Sequence, residues 1–286
     1  MSNLPMFIIG SPRSGTTLLR LMLNAHKNVC VPPECGFIQW LAPKYLSAIF
    51  DKKTIKEFIA DLKKTKKIET WNLDFSRLEE YIERKGSQSF QEVCMCVIAF
   101  YASNGRSKSV KYLGDKNNYY IDYLDEILEI FPNAKFLFLI RDGRDVATSY
   151  VTINNSIIDS DYKPVLPNSI KKIALSWNEN NKKIHDFSLK IQPSQYMFLK
   201  YEDLITEPLE MCKQICDGLG LEFDENMVHF NQFNDEPKEF IQWKEKTLEK
   251  IDSKNLGKYK QVFSDEEIFE FNKIAEESLV KFGYEL

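Results

Sequence analysis

Residues able to bind an anion stand together near the start of the chain, in the segment GSPRSGTT at positions 10–17. Its glycines have the spacing of the GxxxxGK[ST] phosphate loop, in which backbone N–H groups and a helix N-terminus hold an anion. Thr16 takes the place of the lysine that contacts the β- and γ-phosphates of a nucleoside triphosphate. A routine ATPase or GTPase is therefore disfavoured. Arg13 and the N–H groups of residues 14–17 favour a phosphate or sulfate ligand.

The elements that position this segment can be read from its neighbours. Phe7, Ile8 and Ile9 are the aromatic and β-branched residues of a buried strand. After the segment, apolar residues from Leu18 to Leu23 recur as on the buried side of a helix. The order strand, phosphate loop, helix is predicted, although glycine-bounded turns also join strands to helices without binding a ligand.

A second strand leads into a second group of polar residues. Lys135–Ile140 is an apolar run that continues directly into RDGRDVATSY at 141–150. Asp142 is placed to cap the helix that this segment begins. Arg141 at the end of the strand and Ser149 about two turns into the helix then predict a second anion site beside the first.

Three motifs in chain order carry a resemblance to a known family. They are GSPRSGTT after the first strand, RDGRDVATS after a central strand, and YEDL at 201–204. Together they resemble the sulfotransferases that use 3′-phosphoadenosine 5′-phosphosulfate (PAPS), over nearly the whole chain. The resemblance implies an α/β fold of three layers, with a central, mostly parallel sheet and a phosphate-binding loop after the first strand.

The resemblance also implies roles for the motif residues. The first loop would bind the 5′-phosphosulfate, Arg141 and Ser149 the 3′-phosphate, and Tyr201 the adenosine or a phosphate. Lys250, in a later segment that closes over the nucleotide in this family, would add a further contact. The donor-binding residues implied are Arg13, Ser14, Gly15, Thr16, Thr17, Arg141, Ser149, Tyr201 and Lys250.

Glu34 is the candidate general base. The prolines of VPPECGF stop any helix and place Glu34 on a loop or short strand that can return toward the phosphate loop. The segment resembles the tyrosylprotein-type sulfotransferases, in which a glutamate at this distance from the loop arginine is the catalytic base. Glu34 inherits that role, with a surface carboxylate as the alternative. His26 is the second candidate, because an unperturbed histidine titrates near neutrality.

Lys116 is the candidate for stabilising the leaving group. The tyrosylprotein-type pattern has a lysine before an Asp-Pro pair, and Lys116 keeps that pattern's interval to Arg141. By resemblance it contacts the bridging and sulfuryl oxygens during in-line transfer. Asn117-Asn118 replaces Asp-Pro, and a turn lysine without a catalytic role is the alternative.

Length and periodicity predict one domain. A chain of 286 residues with 43% hydrophobic residues can bury one large core over 1–286. Helical periodicity from about 37 to 104 indicates an insertion that shapes the acceptor side. A long helix is predicted over 166–191, with Leu175 facing inward. Parallel strands of βαβ units are predicted near 5–9, 110–113, 135–140 and 196–200.

Composition narrows the remaining classes. The formal charge of −4 argues against a nucleic-acid or anionic-membrane binder. The six cysteines include no CxxC pair and predict buried, reduced thiols, and three scattered histidines predict no metal site. No apolar run is long enough to span a bilayer, and the first strand begins too early to leave room for a signal peptide. A cytoplasmic protein without a transmembrane segment is expected, its oligomeric state open.

The predicted function is in-line transfer of a sulfuryl group from PAPS to a hydroxyl, with no metal. Glu34 takes the proton, while Arg13 and Lys116 neutralise the developing charge. Small-molecule, carbohydrate, lipid and peptide acceptors all stay open. A kinase-like phosphoryl transferase with a degenerate loop is one alternative and predicts magnesium-dependent ATP binding. A non-catalytic nucleotide-binding module is the other and predicts that Glu34→Gln loses nothing.

Overall fold

The computed structural model describes residues 3–103, 110–244, 251 and 256–286. Over these residues the strands form one parallel five-stranded sheet in the order β2-β3-β1-β4-β5. The predicted α/β fold with a mostly parallel sheet is confirmed. The strands are β1 (Leu4–Ile9), β2 (Val29–Cys30), β3 (Tyr112–Lys116), β4 (Lys135–Ile140) and β5 (Tyr196–Lys200).

Helices connect the strands. Four of them, α2 to α5, occupy the segment between β2 and β3 that has helical periodicity in the sequence. The helices are α1 (Thr16–Ala25), α2 (Phe37–Tyr45), α3 (Lys52–Leu62), α4 (Phe75–Lys85), α5 (Phe90–Ser103), α6 (Leu124–Ile130), α7 (Gly143–Asn155), α8 (Ile170–Ser188), α9 (Tyr201–Thr206), α10 (Pro208–Leu219), α11 (Lys238–Ile241), α12 (Tyr259–Val262) and α13 (Asp265–Lys281). Short 3-10 helices include Ile68–Trp71 and Asn118–Tyr123.

The sheet separates two apolar cores, because side chains alternate along each strand. In β1, Phe7 and Ile9 face one core, while Met6 and Ile8 face the other. Helices α2–α6 and α8 contribute to the first core, and α1, α9 and α10 to the second. Helices therefore cover both faces of the sheet, which confirms the predicted three-layer arrangement.

Strand β3 differs from its predicted position. Residues 110–113 carry the apolar signal, but the strand runs from Tyr112 to Lys116. Asp115 and Lys116 lie beside Phe7 and Ile8 of β1. These polar residues are buried by neighbouring layers that no local pattern reveals. Lys116 is consequently fixed at the end of a central strand rather than carried on a turn.

Helix α8 is shorter than predicted. It begins at Ile170 because the Ser169 hydroxyl accepts a hydrogen bond from the Lys172 N–H at its start, and it ends at Ser188. Ile173 and Trp177 are buried, as expected. Leu175 is 49% exposed, so its predicted inward orientation is wrong. Two residues of helix rotate a side chain by roughly 200°, which takes Leu175 away from the face of Ile173.

Phe136 of β4 is a test of the first core. It is fully buried and its ring lies 5.8 Å from that of Phe7 and 5.1 Å from that of Phe187. Phe136→Ala should lower the free energy of unfolding by about 3–5 kcal/mol in urea titrations. Phe269→Ala on α13 is the matched control, since Phe269 is 69% exposed. Equal effects of the two substitutions would contradict this account of the core.

Candidate active site

A cavity of about 990 Å³ opens where the loops after the central strands meet. Its wall includes Arg13 after β1, Lys116 at the end of β3, Arg141 after β4 and Tyr201 after β5, together with Glu34. The carboxyl edge of an open parallel sheet is where such folds bind ligands. Gly15, Thr16, Thr17 and Ser149 also line this cavity.

The loop between β1 and α1 turns through two left-handed residues. Arg13 has φ 67° although it is not glycine, a strained conformation that clusters at functional sites. Gly15 has φ 95°, and a Cβ there would lie 2.4 Å from the ring of Tyr201. The Ser14 hydroxyl is buried with no hydrogen-bond partner in the part of the chain that the structure describes. This cradle of N–H groups and an unpaired hydroxyl suits an oxyanion.

The Arg13 side chain joins the two predicted anion sites. Its Nε donates to Ser149 Oγ at 3.0 Å, and a terminal nitrogen donates to the Trp243 carbonyl at 2.9 Å. Burial and the neighbouring Arg141 lower the pKa of Arg13 to about 10. Arg13 therefore stays charged at neutral pH and adds a cation between the two sites.

Arg141 is held from both sides. Its Nη1 donates to the Arg13 carbonyl at 3.1 Å, and its guanidinium lies 4.3 Å from the centre of the Tyr201 ring. Asp142 caps α7 by accepting from the Arg144 N–H, as predicted. Tyr201 is the first residue of α9 rather than the end of a buried strand, and β5 is a half-buried edge strand. The ring of Tyr201 thus supports both the loop glycine and Arg141.

Glu34 is clamped between two lysines. Lys116 Nζ lies 2.7 Å from Glu34 Oε2, and Lys67 Nζ lies 2.5 Å from Glu34 Oε1. Burial raises the pKa of Glu34, but Lys116, Lys67 and Lys244 lower it by more, so that pKa lies well below its usual value of 4.5. Glu34 is consequently an ionised carboxylate at neutral pH, able to accept a proton.

The residues that depart from the family patterns have structural partners. Thr16, in place of the loop lysine, donates to Asn118 Oδ1 at 3.2 Å. Asn117, in place of aspartate, caps the following 3-10 helix by accepting from the Tyr119 N–H at 3.0 Å. The two asparagines therefore order the turn after Lys116 and attach it to the phosphate loop.

A buried charge network lies behind the site. Arg20 of α1 is fully buried and contacts Asp235 at 2.9 Å and Glu236 at 2.5 Å. Glu236 also pairs with Lys244. Burial lowers the pKa of Lys244 to about 8 in spite of this pairing. Lys244 lines the cavity, so the network connects α1 with the wall near Glu34.

His26 does not reach the cavity wall. Its Nδ1 accepts the Asn28 N–H at 3.0 Å, and its Nε2 contacts the Glu222 carbonyl at 2.9 Å. The ring is buried at the end of α1 and serves as a structural link. The prediction of His26 as an alternative base is therefore wrong.

Some residues of the site were missed from the sequence. Lys67 carries no motif, and the run of lysines from Lys52 to Lys67 favours a solvated helix face or a basic lip for an anionic acceptor. Lys244 follows a tryptophan in a segment without periodicity. Arg20 did leave a signal, because an arginine amid LLRLML on an apolar helix face indicates a buried ion pair.

Only part of the segment predicted to close over the nucleotide lies among the described residues. Lys250 lies outside the described residues. Nearby, the Asp145 carboxylate accepts N–H bonds from Gly257 at 2.8 Å and from Tyr259 at 3.1 Å. These bonds attach the segment that begins at residue 256 to α7.

Comparison with known proteins identifies the family. A model of the sulfotransferase family matches residues 5–225. The chain belongs to that family. Protein-tyrosine sulfotransferase of Drosophila melanogaster is 27% identical over 231 residues, covering 81% of this chain and 41% of the relative. Relatives from Gallus gallus and Caenorhabditis elegans, 26% and 27% identical, are also named protein-tyrosine sulfotransferases, which confirms the resemblance to the tyrosylprotein type. The chain spans about half the length of these curated relatives.

Solved structures show the same fold. The sulfotransferase domain from the curacin biosynthetic pathway has a TM-score of 0.65 at 21% identity, with complete coverage of both chains. A mouse sulfotransferase complexed with 3′-phosphoadenosine 5′-phosphate (PAP) has a TM-score of 0.50 at 11% identity. The match covers 98% of the present chain and 84% of the mouse chain. At these identities the likeness concerns the fold alone.

Among residues 3–103, 110–244, 251 and 256–286, no helix is long and apolar enough to cross a membrane. Over the same ranges, no group of three or more His, Cys, Asp or Glu side chains is arranged to hold a metal ion. The six cysteines are free, and Cys96 alone among them is not fully buried.

Glu236 makes stability depend on pH. Burial raises the pKa of Glu236, but Lys244 and Arg20 lower it further, to about 2, from the usual 4.5. Its stabilising contribution is present above pH 4.5 and is lost as pH falls toward 2. Glu236→Gln should cost about 3–5 kcal/mol at pH 7, because Lys244 and Arg20 stay buried without this carboxylate. Arg20 keeps its ion pair with Asp235.

The cost of Glu236→Gln should shrink as the pH of urea titrations falls from 5 toward roughly 2, the folded-state pKa. Glu57→Gln on the exposed side of α3 is the matched control and should leave the difference near zero. A constant cost of Glu236→Gln across that range would show that the ion pairs do not carry it.

Proposed function

We propose that this sulfotransferase moves a sulfuryl group from PAPS to the hydroxyl of an acceptor by direct in-line transfer. The observation that carries the proposal is the joint placement of Arg13, Glu34, Lys116 and Arg141 around one cavity. The acceptor oxygen attacks sulfur while the bond from sulfur to the bridging oxygen of the 5′-phosphate breaks. Glu34 receives the hydroxyl proton, and 3′-phosphoadenosine 5′-phosphate (PAP) leaves.

The loop cradle fits the phosphosulfate of the donor. The N–H groups near Gly15, the buried Ser14 hydroxyl and the Arg13 guanidinium can all donate to its oxygens. Thr16 and Thr17 stand at the N-terminus of α1, where the helix dipole favours an anion. These donors are fixed before the ligand arrives, so little reorganisation is needed.

The second site fits the 3′-phosphate. Arg141 presents a planar fork, which suits a phosphate better than a single ammonium does. Ser149 accepts from Arg13 and keeps its own hydroxyl proton for a phosphate oxygen. The Tyr201 ring, already stacked on Arg141, offers a face to the nucleotide.

Glu34 and Lys116 supply the proton acceptor and the cation at the reacting centre. Glu34 is ionised, so it can accept the acceptor proton as the new bond forms. Lys116 is 1% exposed on its side chain and points from the end of β3 to Glu34. From the end of β3, its ammonium can neutralise charge on the bridging oxygen and on the sulfuryl oxygens.

The phosphoryl-transfer alternative lacks a specific observation in its favour. Thr16 occupies the position of the lysine that contacts nucleoside triphosphates, and its hydroxyl bonds to Asn118. Lys116 reaches the cavity from a different strand. We therefore retain the sulfuryl transferase as the proposal and let nucleotide selectivity decide between the two.

Nucleotide selectivity tests the donor site. PAP should bind more tightly than adenosine 5′-phosphate or ATP in calorimetry without magnesium, because Arg141 and Ser149 recognise the 3′-phosphate. Arg141→Ala should weaken PAP binding by about 10- to 100-fold, the loss expected for a charged hydrogen bond. Adenosine 5′-phosphate should bind the two proteins alike. Equal or tighter binding of ATP, strengthened by magnesium, would instead support the phosphoryl transferase.

Loss of the base tests the chemistry. Glu34→Gln keeps the shape of the side chain and should leave PAP affinity unchanged, while turnover falls by about 10²- to 10⁴-fold. Release of PAP from PAPS is measured with a phenol, a tyrosine peptide and a sugar as acceptors. Glu57→Gln is the matched control. Undiminished turnover of Glu34→Gln, with any acceptor that the unchanged protein sulfates, would remove Glu34 from the mechanism.

A further inference from the structure

Lys67 is a second cation on the base, and it comes from the helical segment between β2 and β3. Its Nζ lies 2.5 Å from Glu34 Oε1, on the carboxylate oxygen opposite to that held by Lys116. The side chain of Lys67 is 17% exposed. The two lysines therefore occupy the two oxygens of one carboxylate from different directions.

The backbone at Lys67 is unusual. It has φ 76°, in the left-handed region that favours glycine, and it precedes the 3-10 helix Ile68–Trp71. A residue with a side chain is held there only when its surroundings fix it. Such outliers at a cavity wall point to a function for the side chain, and here the side chain reaches Glu34.

Contacts that do not involve the Lys67 side chain hold its turn against the base segment. Trp71 Nε1 donates to the Pro33 carbonyl at 2.9 Å, and the Cys35 thiol lies 3.6 Å from the Lys66 carbonyl. These bonds flank Glu34 on both sides. The turn should therefore stay in place when the Lys67 ammonium is removed.

An aromatic ring fixes the ammonium of Lys67. The buried Phe240 ring has Lys67 Nζ 5.3 Å from its centre and Lys244 Nζ 4.9 Å from it. Tyr162 packs edge-on against Phe240 with centroids 5.3 Å apart. Cation–π contacts thus restrict the positions that the Lys67 ammonium can take.

The charges that face Glu34 come from several elements. Lys116 projects from β3, Lys67 from the turn before Ile68–Trp71, Lys244 from the residues after α11, and Arg13 from the phosphate loop. Asp115, next to Lys116, is the anion on this side, and Glu236 neutralises Lys244 from behind. Of Lys67, Lys116 and Lys244, it is Lys116 that lies at the end of a sheet strand.

We infer that Lys67 is a positioning residue that holds Glu34 Oε1 while Lys116 moves from Oε2 to the transferring sulfuryl group. This inference rests on the proposed function. Oε2 is then free to accept the acceptor proton, and the base keeps its place through Lys67. The two lysines thus have different roles. Lys67 anchors the base, and Lys116 stabilises the charge that develops on the donor.

Lysine labelling tests the anchor without an acceptor. The protein is treated briefly with acetic anhydride, and acetylation at each lysine is read by mass spectrometry. Lys67 should be protected, and Glu34→Gln should raise its labelling severalfold, because the contact with the Glu34 carboxylate restrains the ammonium and limits the approach of the reagent. PAP should leave Lys67 protected. Release of Lys67 by PAP, to the extent that Glu34→Gln releases it, would overturn the inference. Lys63 at the end of α3 is the internal reference.

Kinetics test the consequence for the base. In Lys67→Met the plateau turnover of PAPS, followed as PAP release, should fall at least about tenfold because the base loses its anchor. The acid limb of the pH profile should move to higher pH, because a lost cation raises the pKa of Glu34. Lys67→Arg should restore both. Lys63→Met is the matched control, and PAP affinity should not change.

Each outcome of the kinetic experiment is decisive. Plateau turnover that is unchanged or higher in Lys67→Met overturns the inference, as does a loss of turnover with no displacement of the acid limb. Failure of the unchanged protein to bind PAP or to release it from PAPS would instead refute the proposed function. Labelling of Lys67 in the free protein would still report the ion pair in that case.

Discussion

The pairing of one carboxylate in the cavity wall, Glu34, with lysines is the interaction on which the cavity depends. Lys116, Lys67 and Lys244 converge on it from a sheet strand, from a turn in the helical segment, and from the residues after α11. Without an anion between them, buried cations would repel one another and lose their hydration uncompensated. The ion pairs therefore attach the helical segment between β2 and β3 to the sheet, and they keep Glu34 ionised.

Helix α1 connects this cluster to the loop between β1 and α1. Its first turn closes the loop, and one turn later Arg20 binds Glu236, which in turn pairs with Lys244. Trp243 and Lys244 are neighbours in the chain and contact different parts of the site. The Trp243 carbonyl accepts a hydrogen bond from Arg13, while Lys244 pairs with Glu236. The loop between β1 and α1 and the Glu34 cluster are consequently parts of one packed unit rather than separate attachments to the sheet.

How far the sequence predicts this molecule follows from the range of the interactions. Apolar runs predict β1 and β4, because a buried strand leaves a local pattern in the sequence. The ends of these two strands then indicate the positions of Arg13 and Arg141. The polar end of β3 was not predictable in this way, since Asp115 and Lys116 are buried by partners distant in the chain. Lys67 and Lys244 were not predicted as site residues for the same reason. Their positions are fixed by contacts with Glu34, Phe240 and Glu236.

The missing loop lysine is compatible with the proposed binding of a phosphosulfate because other residues supply positive charge. The left-handed backbone at Arg13 sends its guanidinium between the loop and Ser149, and Lys116 reaches the same cavity from the neighbouring strand. A transferring sulfuryl group carries less negative charge than the terminal phosphates of a nucleoside triphosphate. Two protein cations with a cradle of N–H donors can therefore balance that charge. Thr16 need not supply a cation, and its hydroxyl donates to Asn118 instead.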